Sequence, residues 1–150
     1  MGEAGGRFSC LDDEAGEPSP CFPLLQESNI RKEGFIVEDC IFCKIIERKI
    51  PSTVVYEDDK VMAFNDINPV APVHVIIIPK AHIANVNELT EDNASVLADI
   101  HLAAKAIAEK LGVADKGYRL INNCGADAGQ TVFHLHYHLI SGVKLGAKII

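Results

Sequence analysis

The chain has 150 residues, enough for one domain with a substantial core. Its net charge of −7 argues against a broad nucleic-acid or anionic-membrane surface, although a few backbone N–H groups can still hold one phosphate. No apolar run reaches transmembrane length, the first residues lack the regions of a signal peptide, and the odd cysteine count points to a reducing compartment, so a cytoplasmic protein is expected.

Residues 1–38 are rich in Gly, Pro, Ser and acidic side chains and show no sustained apolar period. They are expected to form a disordered extension, with the folded domain spanning 39–150. A short helix is predicted from Cys40 to Arg48, capped by Asp39 and ended before Pro51. Thr53–Tyr56 and Val61–Asn65 read as a hairpin, and His74–Ile78 reads as a buried strand stopped by Pro79. A long helix is predicted from Thr90 to Leu111, with Thr90 as N-cap and Gly112 just past its end. Its apolar stripe is Leu97, Ile100, Ala104, Ile107 and Leu111. Tyr118–Asn122 and Val132–Ile140 complete five strands, separated by a Gly/Ala/Asp loop. Short connections favour antiparallel pairing, hence an α+β fold.

Three features carry chemistry. Within the last strand, His134, His136 and His138 alternate with apolar residues, so the three imidazoles share one face, about 6.5 Å apart per step. Such a face can bind a metal with an open position, or supply a nucleophile with proton-handling neighbours. The preceding loop, Asn122 to Thr131, joins Gly125 and Gly129 to the amide of Gln130 and the hydroxyl of Thr131. It suggests a phosphoryl group held beside a nucleophile. Second, Asp66 follows an apolar strand, where its carboxylate can accept both ribose hydroxyls or merely support a turn before Pro69. Phe42, Phe64 and Ile67 can flank a base or pack in the core. Third, Cys40-Ile41-Phe42-Cys43 is half of a zinc site that His82 and another histidine could complete, or else a redox pair or two buried thiols. His101 reads as exposed and inert.

Five segments in order resemble the histidine triad family, and within it the nucleotide-binding phosphoramidases. They are Cys40 to Ile46, Ala63 to Pro69, Ala71 to His74, Ile78 to Ile83, and Gly129 to His138. The resemblance covers about Cys40 to Gly142. It implies a five-stranded antiparallel sheet with two helices, paired as a two-fold homodimer with a continuous sheet. It implies hydrolysis of adenosine 5′-phosphoramidates such as lysyl-linked AMP, with His136 as nucleophile and His138 and His74 in support. It further implies that purine nucleotides bind through Ile41, Phe42, Phe64, Asp66 and Ile67, with Asn123, Gly129, Gln130 and Thr131 on the phosphate side. Cys40, Cys43, His82 and His134 match a structural zinc set, and no catalytic metal is required.

Related chemistry, dinucleoside polyphosphate hydrolysis or nucleotidyl transfer, remains an alternative. So do a nucleotide-binding adaptor with incidental catalysis and a zinc hydrolase. Many relatives in that branch end in Trp-Pro-Pro-Gly, whereas this chain ends Leu145-Gly146-Ala147-Lys148-Ile149-Ile150, so leaving-group preference does not carry over.

Overall fold

The computed structural model describes residues 39–149. The expected disordered extension, residues 1–38, lies outside them. The elements follow the predicted order: α1 (Ile41–Ile46), β1 (Val54–Glu57), β2 (Val61–Asn65), β3 (Val73–Pro79), α2 (Ser95–Lys110), β4 (Arg119–Ile121) and β5 (Tyr137–Ser141). Short 3₁₀ turns at Val86–Glu88 and Ala126–Ala128 lie in the connections. The strands form one antiparallel sheet in the order β1-β2-β3-β5-β4. This is the α+β, five-stranded arrangement expected. Among the described residues no helix is long and apolar enough to cross a membrane.

The sheet is covered on both faces, which explains why β2 and β3 read as nearly continuous apolar runs. Val61, Ala63, Val75 and Ile77 face α2, where Ile100, Ala103, Ala104 and Ile107 complete the larger core. The two alanines let the helix lie close to the sheet. Met62, Phe64, Ile76 and Ile78 face the other way and pack with Phe42 and Ile45 of α1. At about 25 cal/mol per Å² of apolar area, each fully buried Ile contributes about 2 kcal/mol.

Two helix starts differ from expectation. Cys40, not Asp39, takes the N-cap position of α1, with no side-chain cap bond. Thr90 does not cap α2. Asn93 Oδ1 instead accepts the Thr90 N–H at 2.7 Å, and a turn over residues 91–94 precedes the helix at Ser95. Asn competes for local backbone groups in this way and delays helix entry. The predicted end holds: Gly112 takes φ +67°, and the Val113 N–H returns to the Ala108 carbonyl at 2.9 Å.

The histidine run is strand only from Tyr137 onward. The β3–β5 ladder ends at Ile77–Tyr137, and β3 itself ends at Pro79, which has no N–H to offer. Upstream, the chain peels away and the Leu135 N–H bonds the Ile83 carbonyl at 2.6 Å. The alternation of faces nevertheless persists. Leu135 and Leu139 are fully buried in the α2-side core, with Tyr137 packed against it, while the histidines face α1. Phe133 is 55% exposed and belongs to neither layer.

Candidate active site and metal centre

The site is built on the α1 face of the sheet. His138 pairs with Ile76 in register, so His74, two residues earlier on β3, is its diagonal neighbour. His74 Nε2 lies 2.9 Å from His138 Nδ1. The Val70 N–H donates to His74 Nδ1 at 3.2 Å, which makes that nitrogen the acceptor and places the proton on Nε2. Asp66 Oδ2, 3.5 Å away, favours the same tautomer. His74 Nε2–H therefore donates to His138 Nδ1, and the His138 proton sits on its own Nε2. Burial, reinforced by repulsion from His136 and His74, lowers the His138 pKa, so the neutral form is favoured.

His136 has 4% exposure and stands between Phe42 and His138, with ring centroids 5.3 and 5.2 Å away. Its Nδ1–H donates to the His134 carbonyl at 2.7 Å. Nε2 is then the basic nitrogen. Asn122 Nδ2 donates to the His136 carbonyl at 2.8 Å. That contact, across 14 residues, had no local signal in the sequence.

Beside the histidines lies a cavity of about 460 Å³ lined by Ile41, Phe42, Ile45, Phe64, Ile76 and others, with Ile67 at its mouth. Asp66 stands on its wall and also beside His74, so one carboxylate borders both the cavity and the histidine pair. Its Oδ1 accepts the Asn68 N–H at 2.8 Å, which orients the group. Phe42 and Phe64 stack edge to face at 5.7 Å and form the floor.

In the Gly-rich loop, Gly125 and Gly129 take φ +87° and +83°, values only glycine adopts without cost. Gln130 is buried, and its amide is engaged with the protein. Oε1 accepts the Gly125 N–H at 2.9 Å, while Nε2 donates to the Ala84 and Val132 carbonyls at 2.8 and 3.0 Å. The Gln130 and Gly129 N–H groups also bond inside the loop. Gln130 thus shapes the loop from within, whereas Thr131 is exposed and Asn123 half-buried.

Cys40, Cys43, His82 and His134 converge at the start of α1. Their four ligand atoms lie within 4.8 Å of one another and could hold a metal ion. Cys43 Sγ is 3.3 Å from His82 Nδ1 and 3.6 Å from His134 Nδ1, and Cys40 Sγ is 3.5 Å from His134 Nδ1. His134 Nε2–H donates to the Pro79 carbonyl at 2.9 Å, which leaves the unprotonated Nδ1 and its lone pair facing the cluster. Burial above all holds the His134 pKa down to about 4, with added repulsion from His82 and His136. Asp66, His74 and His138 form a second group of the same compactness. There the Val70 bond keeps a proton on His74 Nε2, which makes that nitrogen a hydrogen-bond donor to His138 rather than a ligand atom. His101 is exposed, with Nδ1–H donating to the Leu97 carbonyl and its ring 5.5 Å from Tyr137.

Residues 39–148 match the family model described as scavenger mRNA decapping enzyme C-term binding. The chain is 47% identical to the purine nucleoside phosphoramidase of Escherichia coli K12 over 114 residues, 76% of this chain and 96% of that protein. An uncharacterized HIT-like protein of Synechocystis is 49% identical over 107 residues, 71% of this chain and 93% of its own. Among solved structures, a HIT family hydrolase from Clostridium thermocellum superposes with a TM-score of 0.75 at 66% identity, covering 76% of this chain and 99% of that one. A histidine triad protein from Clostridium difficile gives 0.73 at 48% identity, with coverage of 75% and 97%.

Proposed function

Because this chain belongs to the histidine triad (HIT) family, we propose that it is a purine nucleoside phosphoramidase hydrolysing the P–N bond of adenosine 5′-phosphoramidates. The observation that carries the reading is the set of fixed tautomers. His136 presents a basic Nε2, and the Val70–His74–His138 chain of hydrogen bonds presents a proton on His138 Nε2. An adjoining apolar cavity with one carboxylate suits a purine and a ribose. Ile41, Phe42, Phe64 and Ile67 hold the base, and Asp66 accepts the ribose hydroxyls. Asn123, Gly129, Gln130 and Thr131 form the phosphate side, Gln130 through the loop it braces.

His136 Nε2 attacks phosphorus, the P–N bond breaks, and the leaving amine takes its proton from His138. The nucleotidyl-His136 intermediate is then cleaved by water, whose proton returns to His138, releasing AMP. Splitting one displacement into two is the gain of covalent catalysis. His138 gives the amine its proton as an imidazolium and, neutral afterwards, takes the next one from water. The test is mass spectrometry after mixing with a lysyl- or aminoacyl-AMP phosphoramidate. AMP mass should appear on the His136 peptide, and His136→Ala should lose it together with turnover. Full turnover by His136→Ala would sink the assignment.

We propose zinc for the Cys40, Cys43, His82 and His134 cluster. The donor set is the two-Cys, two-His type. Tetrahedral zinc with bonds of about 2.0–2.3 Å requires ligand separations of about 3.3–3.8 Å, and the three Cys–His distances of 3.3, 3.5 and 3.6 Å fall in that range. When bound, the metal would fix His134, two residues from the nucleophile, in a structural role. Metal analysis of purified protein should return zinc equimolar with chain, lost in Cys43→Ala. A two-fold homodimer and a cytoplasmic location complete the proposal. Among the described residues β4 is an edge strand, and this and the 66% exposure of Leu102 support the former; light scattering tests it.

A further inference from the structure

The β4–β5 ladder stops at the Ile121–His138 pair. Carried two residues further in the same register, it would set Asn123 opposite His136 and commit the loop backbone to the sheet. The chain does something else. Asn122, half-buried, sends its side-chain amide to the His136 carbonyl at 2.8 Å. The His136 residue is then held twice, at its carbonyl by Asn122 and at its ring Nδ1 by the His134 carbonyl.

We propose that Asn122 is a positioning residue for the nucleophile: its amide replaces the missing ladder bond, anchoring the His136 peptide while residues 123–129 turn away as the phosphate-side loop. The inference rests on the phosphoramidase reading and names a further residue of that site. The residue type follows from the task. Asn offers an N–H donor on a short side chain, Asp of the same size offers only acceptors, and aliphatic side chains offer neither. The ring bond to the His134 carbonyl sets how the imidazole is turned. The Asn122 bond sets the peptide from which it projects. In-line attack depends on both, since displacement of a reacting group by about 1 Å can cost a hundredfold in rate.

The test compares wild type with Asn122→Asp, Asn122→Val and Asn122→Gln. Rapid-quench single turnover on an adenosine 5′-phosphoramidate gives the rate of nucleotidyl-His136 formation, calorimetry gives AMP affinity, and thermal melts give stability. The Asp and Val variants should form the adduct about tenfold more slowly, with AMP affinity within about twofold of wild type and melting within a few degrees. Asn122→Gln, which keeps the donor, should recover part of the rate. Adduct formation at the wild-type rate in the Asp and Val variants overturns the inference, as does a parallel fall of rate, affinity and melting temperature. A second measurement stands apart from turnover. Freeing the His136 peptide should loosen the ring's bond to the His134 carbonyl, so the ¹⁵N shifts of the His136 ring, those of an Nδ1–H tautomer in wild type, should move toward an average of two tautomers in the Val variant. Unchanged ring shifts overturn the inference. A wild-type protein that forms no adduct overturns the phosphoramidase reading, and the ring spectra then decide the role of Asn122.

Discussion

Replacing His134 with asparagine should flatten the acid limb of this protein's stability in the metal-free state. His134 is fully buried, and its burial holds the pKa down from 6.5 to about 4. In the unfolded chain the imidazole returns to about 6.5. Between those values the unfolded state binds a proton that the folded state refuses, so stability rises with pH. The contribution is complete above pH 6.5 and is lost as pH falls toward 4. At about 1.4 kcal/mol per pH unit, the whole loss amounts to about 3 kcal/mol. The assay is urea unfolding of wild type and His134→Asn from pH 4 to 8, with a chelator present. Glu57 and Asp58, whose pKa values are lowered by their partners, also lose stabilisation in acid. Both proteins keep those groups, so the difference between them isolates His134. The advantage of wild type over the variant should shrink by about 3 kcal/mol between pH 7 and pH 4. A difference that stays constant over that range would refute the reasoning.

Asp66→Asn removes the carboxylate that borders both the cavity and His74. AMP affinity should fall about tenfold or more, and the preference for AMP over its 2′,3′-dideoxy analogue should disappear, as calorimetry would show. Gln130→Leu strands the Gly125 N–H and two carbonyls. It should cost about 2–4 kcal/mol in urea unfolding and weaken phosphate-side binding, although the amide itself bonds only protein groups in this structure. Ile107→Ala opens the fully buried α2-side core. A loss of about 3–4 kcal/mol is expected, with kcat/KM unchanged at temperatures where the variant is folded.

Element order, strand count and the α+β class were legible because they rest on short-range signals. The β-branched run before Pro79, the apolar stripe from Leu97 to Ile107 and Gly112 past the helix end each declare themselves within a few residues. Five ordered segments carried the family resemblance, which a matching family model and close relatives now establish. Local signals failed where a side chain could choose between neighbours. Asn93 took the Thr90 N–H and delayed α2, and Pro79 ended the ladder before the histidine run was complete.

Residue types and their alternation could be read from the chain alone, since the period of a strand places His134, His136 and His138 on one side whatever they touch. What each imidazole does was decided by contacts far apart in sequence. His138 meets His74 across 64 residues, and His134 meets Cys40 across 94. The Val70 N–H and the Pro79 and His134 carbonyls determine which ring nitrogen keeps its proton. A tautomer is set by whichever backbone group faces the ring, and only the folded chain brings that group there. For the same reason Gln130, expected from the sequence on the phosphate side, is found bracing the loop from within, and Asn122, unremarkable in a polar loop, is found on the peptide of His136.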